Sequence, residues 1–511
     1  MTQTLFFGGR VRTLVGEAVD DWLLCDGERI VDTGSGDAPR AERGIDLQGA
    51  VAVPGFCDAH VHLAPTGLYA SGLDFRGEHS SRAIIEAFAK RASEDRLMFG
   101  GNFEDPLDQP ITRHDLDVVV GSRPALLARA DMHSCVVSTA LLDELDVAGL
   151  EGVDTDEGGA TTGYLREKAA AEAWRWFDAN LPRRQQIDAI RDAVRLACAK
   201  GITSVHEMFV VEWRGWDAFE TLQAAVAPTA LNVVPYIATT DVDRVAAMGF
   251  KHVGGDFFLD GSFGSHTAWM LDGYSSDPPE GTPAAGIAYR SDEELFDFFA
   301  RAQDAGLQTG VHAIGDAAIE QALAAWERVV ESGSVDAVRA LGHRIEHFEC
   351  SSDNHIRRAA HLGLRASIQP GFDGYWGGPE GLYARRIGWA RASRMNRFKT
   401  MIEAGLVVGA GSDSTVTPLD PFLQMASLRT HHVEEQRLDG FTALRAHTAG
   451  GHALAGDDRD RGRIAPGYLA DLTLLSADPV ECAPEALGDI EVLGTWIGGC
   501  RVWPRDLAEA E

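Results

Sequence analysis

At 511 residues the chain exceeds the roughly 250–300 residues at which a single core stops growing, so a large domain with a smaller companion is expected. Its 46 basic against 77 acidic side chains, a formal charge of -31, exclude the basic footprint that nucleic acid requires and disfavour anionic membranes. An apolar content of 45% allows a substantial core, and seven dispersed cysteines without C-x-x-C spacing point to reduced thiols and a cytoplasmic enzyme.

The first stretch, MTQTLFFGGRVRTL, lacks the long apolar centre of a signal peptide, and no apolar run of about 18 residues suggests a membrane span. Residues 4–53 alternate short apolar runs with Asp-Gly and Gly-Gly turns, which predicts antiparallel strands. The tail, GRIAPGYLADLTLLSADP and VLGTWIGGCRVWP, has the same character. Residues 1–54 and 455–511 are therefore expected to build one composite β-sandwich, with 55–454 forming the central domain.

In the centre, apolar strands alternate with helical stretches, as in an α/β domain with a parallel sheet. Eight strand candidates follow in order: VAVPGFCDAHVH, GITSVHEMF, LNVVPYIAT, HVGGDFFLDGS, LQTGVHAIGD, HRIEHFE, LRASIQPGF and LVVGAGSDS. Helical blocks such as QQIDAIRDAVRLACAKG and AAIEQALAAWERVVESG end in glycine, a common C-cap. Eight strands with crossover helices predict a (β/α)8 TIM-type barrel. Residues 64–190 exceed one ordinary connection and predict an inserted subdomain between the first two strands.

Catalytic groups of such barrels sit at the C-terminal ends of the strands. Here the candidate strands end in His60/His62, His206/Glu207, Asp260, His312, His347 and Asp413. His60 and His62 are two apart, so on a strand both imidazoles project from one face and can share an ion. Alone, H-x-H fits a pair of surface histidines equally well. A single histidine after a strand is more often a packed residue than a ligand, and Asp413 alone reads as a loop or helix cap. Their co-occurrence at successive strand ends favours a metal site.

The segments PGFCDAHVHL, HAIGD, RIEH, GSD and GRIAPGYLADLTLL resemble the amidohydrolase superfamily of metal-dependent barrel hydrolases. Asp260 to Ser265 (DGSFGS), His312 to Asp316, and SDSTVTPLDP at Ser412 to Pro421 resemble its YtcJ-like branch, which includes N-substituted formamide deformylases. ARADMHSCVVSTALL and TTGYLREKA in the insertion match as well, and the resemblance runs from about residue 5 to about 503. It implies that His60, His62, His312, His347 and Asp413 bind metal and activate water, with one or two divalent ions, most often zinc. A homodimer acting on a small molecule is the corresponding expectation.

Two departures from that pattern stand out. Two-metal members commonly carry a bridging carboxylated lysine on the fourth strand, where this chain has Asp256. Either Asp256 bridges directly, which oxygen-accepting metals tolerate, or the site holds one ion. A buried, unpaired aspartate is costly, so a cation is expected beside it. His266 stands where the related pattern carries arginine; a neutral imidazole cannot clamp a carboxylate, which signals either another substrate polarity or a structural hydrogen bond. The resemblance places His133 at the barrel mouth, whereas Glu167 reads as an exposed helix charge. Phe372, Tyr375, Trp376 and Trp389 follow strand seven, and Trp376 and Asp260 join His133 and His266 as candidate substrate contacts. Asp316 is expected to cap the following helix, and His431 and His432 to lie on a helix surface.

These residues predict hydrolysis of an amide or N-acyl C–N bond, with Asp413 as the base and His347 polarising the carbonyl. Three alternatives remain open. A single-metal heterocycle deaminase would release ammonia, and a decarboxylase or isomerase would incorporate no solvent oxygen. A metal-free binding protein should have lost ligand positions, yet all five are present.

Overall fold

The computed structural model describes residues 3–504 except 92–96, 105, 148 and 280. Eight parallel strands form the central barrel: β1 (Phe56–Val61), β2 (Ile202–Val210), β3 (Asn232–Ala238), β4 (His252–Val253), β5 (Gln308–Ala313), β6 (Arg344–His347), β7 (Arg365–Ile368) and β8 (Val407–Ala410). They pair in sequence order, as right-handed strand–helix–strand units do. A bridge between Val61 and Ser414 closes the circle. Asp413 N donates to His60 O at 2.8 Å and His62 N donates to Ser414 O at 3.0 Å, so the closure clips the first and last candidate site segments together. Both faces of these strands are buried, and the helices packed outside share one continuous apolar core with them.

The expected first strand is divided at Gly55. Val51–Pro54 pairs antiparallel with Leu472–Leu475, while Phe56 onwards enters the barrel. A Cβ on Gly55 would lie 2.2 Å from Thr203 Oγ1, so only glycine lets the chain turn so close to β2. Strand four is shorter than HVGGDFFLDGS suggests. Gly254 and Gly255 take φ of 89° and 78° and end its ladder after two residues. Asp256 therefore reaches the barrel mouth from a bend and not from the strand itself. A Cβ on Gly254 would sit 2.1 Å from Gly310 O on β5. Gly254→Ala should cost about 1–3 kcal/mol through the left-handed backbone alone, read as a lowered denaturation midpoint.

Strands from both ends of the chain form one eight-stranded sheet: seven run in the order Cys500–Trp503, Val492–Ile497, Leu472–Leu475, Val51–Pro54, Gln3–Arg12, Val19–Asp26 and Arg29–Gly34, and the eighth, Arg43–Asp46, pairs with Gln3–Arg12 off this path. It is mixed rather than purely antiparallel, because Gln3–Arg12 runs parallel to Arg43–Asp46 and Val51–Pro54. Phe6 meets Trp496 edge-on at 5.4 Å in its core. Residues 505–511 of the predicted terminal unit lie outside the described residues. Between β1 and β2 a six-stranded sheet, from Leu73–Asp74 to Thr161–Arg166, buries apolar clusters around Phe99 and Trp174 and around Phe88 and Leu116. All seven cysteines are free thiols, and among the described residues no helix is long and apolar enough to cross a membrane.

Candidate metal centre

The C-terminal ends of β1, β5, β6 and β8 bring His60, His62, His312, His347 and Asp413 together, and the bend after β4 adds Asp256. Asp256 lies at the centre. Its Oδ1 is 3.5 Å from His60 Nε2, 3.7 Å from His312 Nδ1 and 3.9 Å from His347 Nε2, and its Oδ2 is 3.1 Å from His62 Nε2. Asp413 Oδ1 lies 3.2 Å from His62 Nε2 and 3.5 Å from His60 Nε2. Two groups, His60–Asp256–His347 and His60–His62–Asp413, each hold their donor atoms within 4.8 Å of one another.

Three of the imidazoles are anchored through the opposite nitrogen. His60 Nδ1 donates to Glu346 Oε2 at 3.0 Å, His62 Nδ1 to Met208 O at 3.0 Å, and His312 Nε2 to Gly261 O at 3.3 Å. Each bond fixes the ring and turns its other nitrogen inward, the usual arrangement behind metal-binding histidines. His347 is held instead by stacking on Phe372, at 5.7 Å and 14°.

The inward atoms test whether a cation fits. Among the described residues, His60 Nε2, His312 Nδ1, Asp256 Oδ1 and Asp413 Oδ1 are buried without hydrogen-bond partners, and His347 Nε2 faces the same centre 3.9 Å from Asp256 Oδ1. Such groups are costly unless something satisfies them. The electrostatics agree. Burial disfavours a charged His62, but hydrogen bonds to Asp256 and Asp413 outweigh it and push the imidazole up to about 10. Burial likewise opposes ionisation of Asp256, yet His60, His312 and His62 hold it well below the usual carboxylate range. Two buried carboxylates thus draw positive charge into a nest of nitrogen and oxygen donors. A divalent ion fits these residues.

A pocket opens over Asp413, His312 and His347, and His133 and Trp376 also line it. His133 comes from the insertion, next to the strand Ser134–Val137. Its Nδ1 is 3.3 Å from Glu167 Oε2, which accepts a 2.5 Å hydrogen bond from Tyr289 OH. Burial opposes a charge on His133, but Glu167 raises it to about 9. Glu167 is therefore no exposed helix charge; it is enclosed between the insertion and the barrel.

Other expected contacts move away from the pocket. Asp260 is fully buried, and its two oxygens accept from Trp269 N, Ile314 N and Gly315 N at 2.7–3.0 Å. It braces the strand-five loop from beneath instead of facing substrate. His266 lines a neighbouring cavity, with Nε2 3.0 Å from Ser276 Oγ. His206 and Glu207 point elsewhere: Arg344 Nη1 donates to His206 Nδ1 at 2.9 Å, and Leu63 N donates to Glu207 Oε2 at 2.7 Å. Asp316 is the first residue of its helix, not the cap, and its carboxylate accepts from Leu271 N. His431 is buried at a helix end, with Nε2 donating to Asn396 O.

Glu349, absent from the sequence reading, lines the pocket almost fully buried with Oε2 unpartnered, and burial pushes its carboxyl up to about 8. Its place two residues beyond His347 was the only available signal.

A model of the amidohydrolase family matches residues 43–503. YtcJ of Bacillus subtilis (strain 168), an amidohydrolase by name, is 28% identical over 98% of this chain and 100% of its own length. N-substituted formamide deformylase of Arthrobacter pascens is 25% identical over 98% of both chains. Among solved structures, an uncharacterized metal-dependent hydrolase of Pyrococcus furiosus is 25% identical and superposes with a TM-score of 0.75, covering 94% of this chain and 100% of that one.

Proposed function

The chain belongs to the amidohydrolase family of metal-dependent hydrolases, and from that footing we propose that it hydrolyses an amide or N-acyl C–N bond in a small-molecule substrate. The observation that carries this reading is the convergence of four buried donor atoms, unpartnered among the described residues, beneath a pocket that Asp413 also lines. His60, His62, His312 and Asp256 would hold the cation, and imidazole nitrogens with carboxylate oxygens suit zinc. When bound, such an ion polarises a carbonyl and makes water acidic enough to ionise near neutrality. Asp413 takes the proton of the attacking water and returns it to the leaving nitrogen. His347 donates towards the carbonyl oxygen as negative charge develops there. His133, across the pocket and held by Glu167, orients the substrate, while Phe372 and Trp376 give it an apolar wall.

Purified without added metal, the chain should carry one to two equivalents of divalent metal by elemental analysis. A chelator should remove amide hydrolysis and zinc restore it, with solvent oxygen entering the acid product in labelled water. Absence of bound metal together with no activity under zinc or manganese would overturn the proposal.

A further inference from the structure

The pocket over Asp413 is not uniformly apolar. One apolar cluster contributes Ile314, Phe372, Trp376 and Tyr383 to its lining. Glu349 joins that lining although it is only 3% exposed. It follows β6 by two residues, and its main-chain carbonyl accepts from Asn396 N at 2.9 Å. That bond brings Asn396 to the same place, and Tyr383 adjoins both. Burial, then Glu349, hold the Tyr383 phenol well above its usual value, whereas Asn396 draws it down.

Yet no hydrogen bond closes between these three side chains. Among the described residues, Glu349 Oε2, Tyr383 OH and both Asn396 side-chain atoms, Oδ1 and Nδ2, are buried without partners. Such groups lower stability unless something satisfies them, and functional sites are where that cost is tolerated. The three also differ in what they offer. The Glu349 carboxyl accepts, the phenol donates and accepts, and the Asn396 amide does both. A carboxylate would bring only acceptors to Glu349, and an ammonium would leave the donors of Tyr383 and Asn396 unmatched. A hydroxyl or carboxamide donates and accepts, so it can answer all three. An uncharged group also enters this apolar cluster at less desolvation cost than an ion.

We propose that Glu349, with Tyr383 and Asn396, determines specificity by receiving an uncharged hydroxyl or carboxamide group of the substrate, carried from the scissile bond along the Phe372–Trp376 wall. Recognition of that group is a property of binding; its bearing on substrate choice rests on the amide hydrolysis proposed above.

The test is calorimetric titration of the metal-loaded full chain with alkyl hydroxamates, whose head chelates the ion and whose tail ends in a methyl, hydroxyl or ammonium group. Values of kcat and KM are measured in parallel for N-formyl amines with the same tails. Glu349→Gln keeps a group that donates and accepts, whereas Glu349→Met keeps only the volume. The hydroxyl tail should bind wild type about tenfold more tightly than the methyl tail, the contribution of one neutral hydrogen bond. Glu349→Gln should keep that preference and Glu349→Met abolish it, through KM rather than kcat, because the contact is the same before and during bond cleavage. No internal side-chain bond is lost, so the denaturation midpoint of Glu349→Met should equal or exceed that of wild type. A lowered midpoint with the tail preference intact would make Glu349 structural and overturn the proposal. A preference for the ammonium tail that Glu349→Gln loses would assign a cation site and overturn the uncharged class. Equal affinities for all tails in wild type and both variants, with formamides cleaved, would overturn the selectivity and leave the amidohydrolase reading intact. A Glu349-dependent hydroxyl preference with no amide cleaved would uphold the selectivity and defeat that reading.

Discussion

Asp413→Asn is expected to lower kcat by about a thousandfold while leaving the fold and its melting temperature near wild type, since general-base catalysis contributes about 10²–10⁴. The side chain lines the pocket, and one of its oxygens is buried without a partner. Asparagine keeps the volume and the backbone bond from residue 413 to His60 O, but it cannot accept a proton. The backbone at Asp413 has φ of 50°, in the left-handed region that asparagine tolerates as readily as aspartate. Because Asp413 Oδ1 also lies 3.2 Å from His62 Nε2, kinetics alone would not separate a base from a ligand. Metal content per chain makes that separation. A low kcat with metal retained identifies a base, a parallel loss of both identifies a ligand, and wild-type values for both remove Asp413 from either role.

The barrel was legible because its strands are short apolar runs with β-branched residues, each followed by a polar residue at its C-terminal end. His60, His62, His312, His347 and Asp413 could be read only together, from their co-occurrence at successive strand ends, and the fold brings them within reach of one another. Asp256 was legible as an anomaly, a carboxylate where burial demands a partner, although the bend that delivers it was not. Periodicity carries no information about a pair of glycines at positive φ. The substrate wall was the least readable part. Glu167 lies in a helical sequence, and its contacts with His133 and with Tyr289, 122 residues away, show that it is enclosed. Asp260 was misread for the opposite reason: a polar residue at a strand end looks functional until three backbone donors are seen to consume it.

Glu346→Gln is expected to be the most damaging substitution outside the pocket, costing about 3–5 kcal/mol of stability. Arg344 and Glu346 are both fully buried inside the barrel, joined by bonds of 2.5 and 2.7 Å. Arg344 also donates to His206 and to Ala59 O and lies 4.4 Å from the Tyr236 ring centre. Glutamine preserves the shape but leaves the guanidinium without its counter-charge in a dry core, which is the expensive half of a buried ion pair. The same carboxylate accepts from His60 Nδ1, so metal affinity should fall by about 10–100-fold as that ring loses its anchor. The pair Arg344→Met/Glu346→Leu separates the two effects. Removing both charges should recover much of the stability, less the bonds lost at His206 and Ala59, whereas metal affinity should stay low because nothing then holds His60. Chemical denaturation of the metal-free protein reads the first effect, and zinc competition with a chromophoric chelator reads the second. If Glu346→Gln matched wild type in both, His60 would be oriented by barrel closure through Asp413 N and Ser414 O, and the ion pair would be incidental to the site.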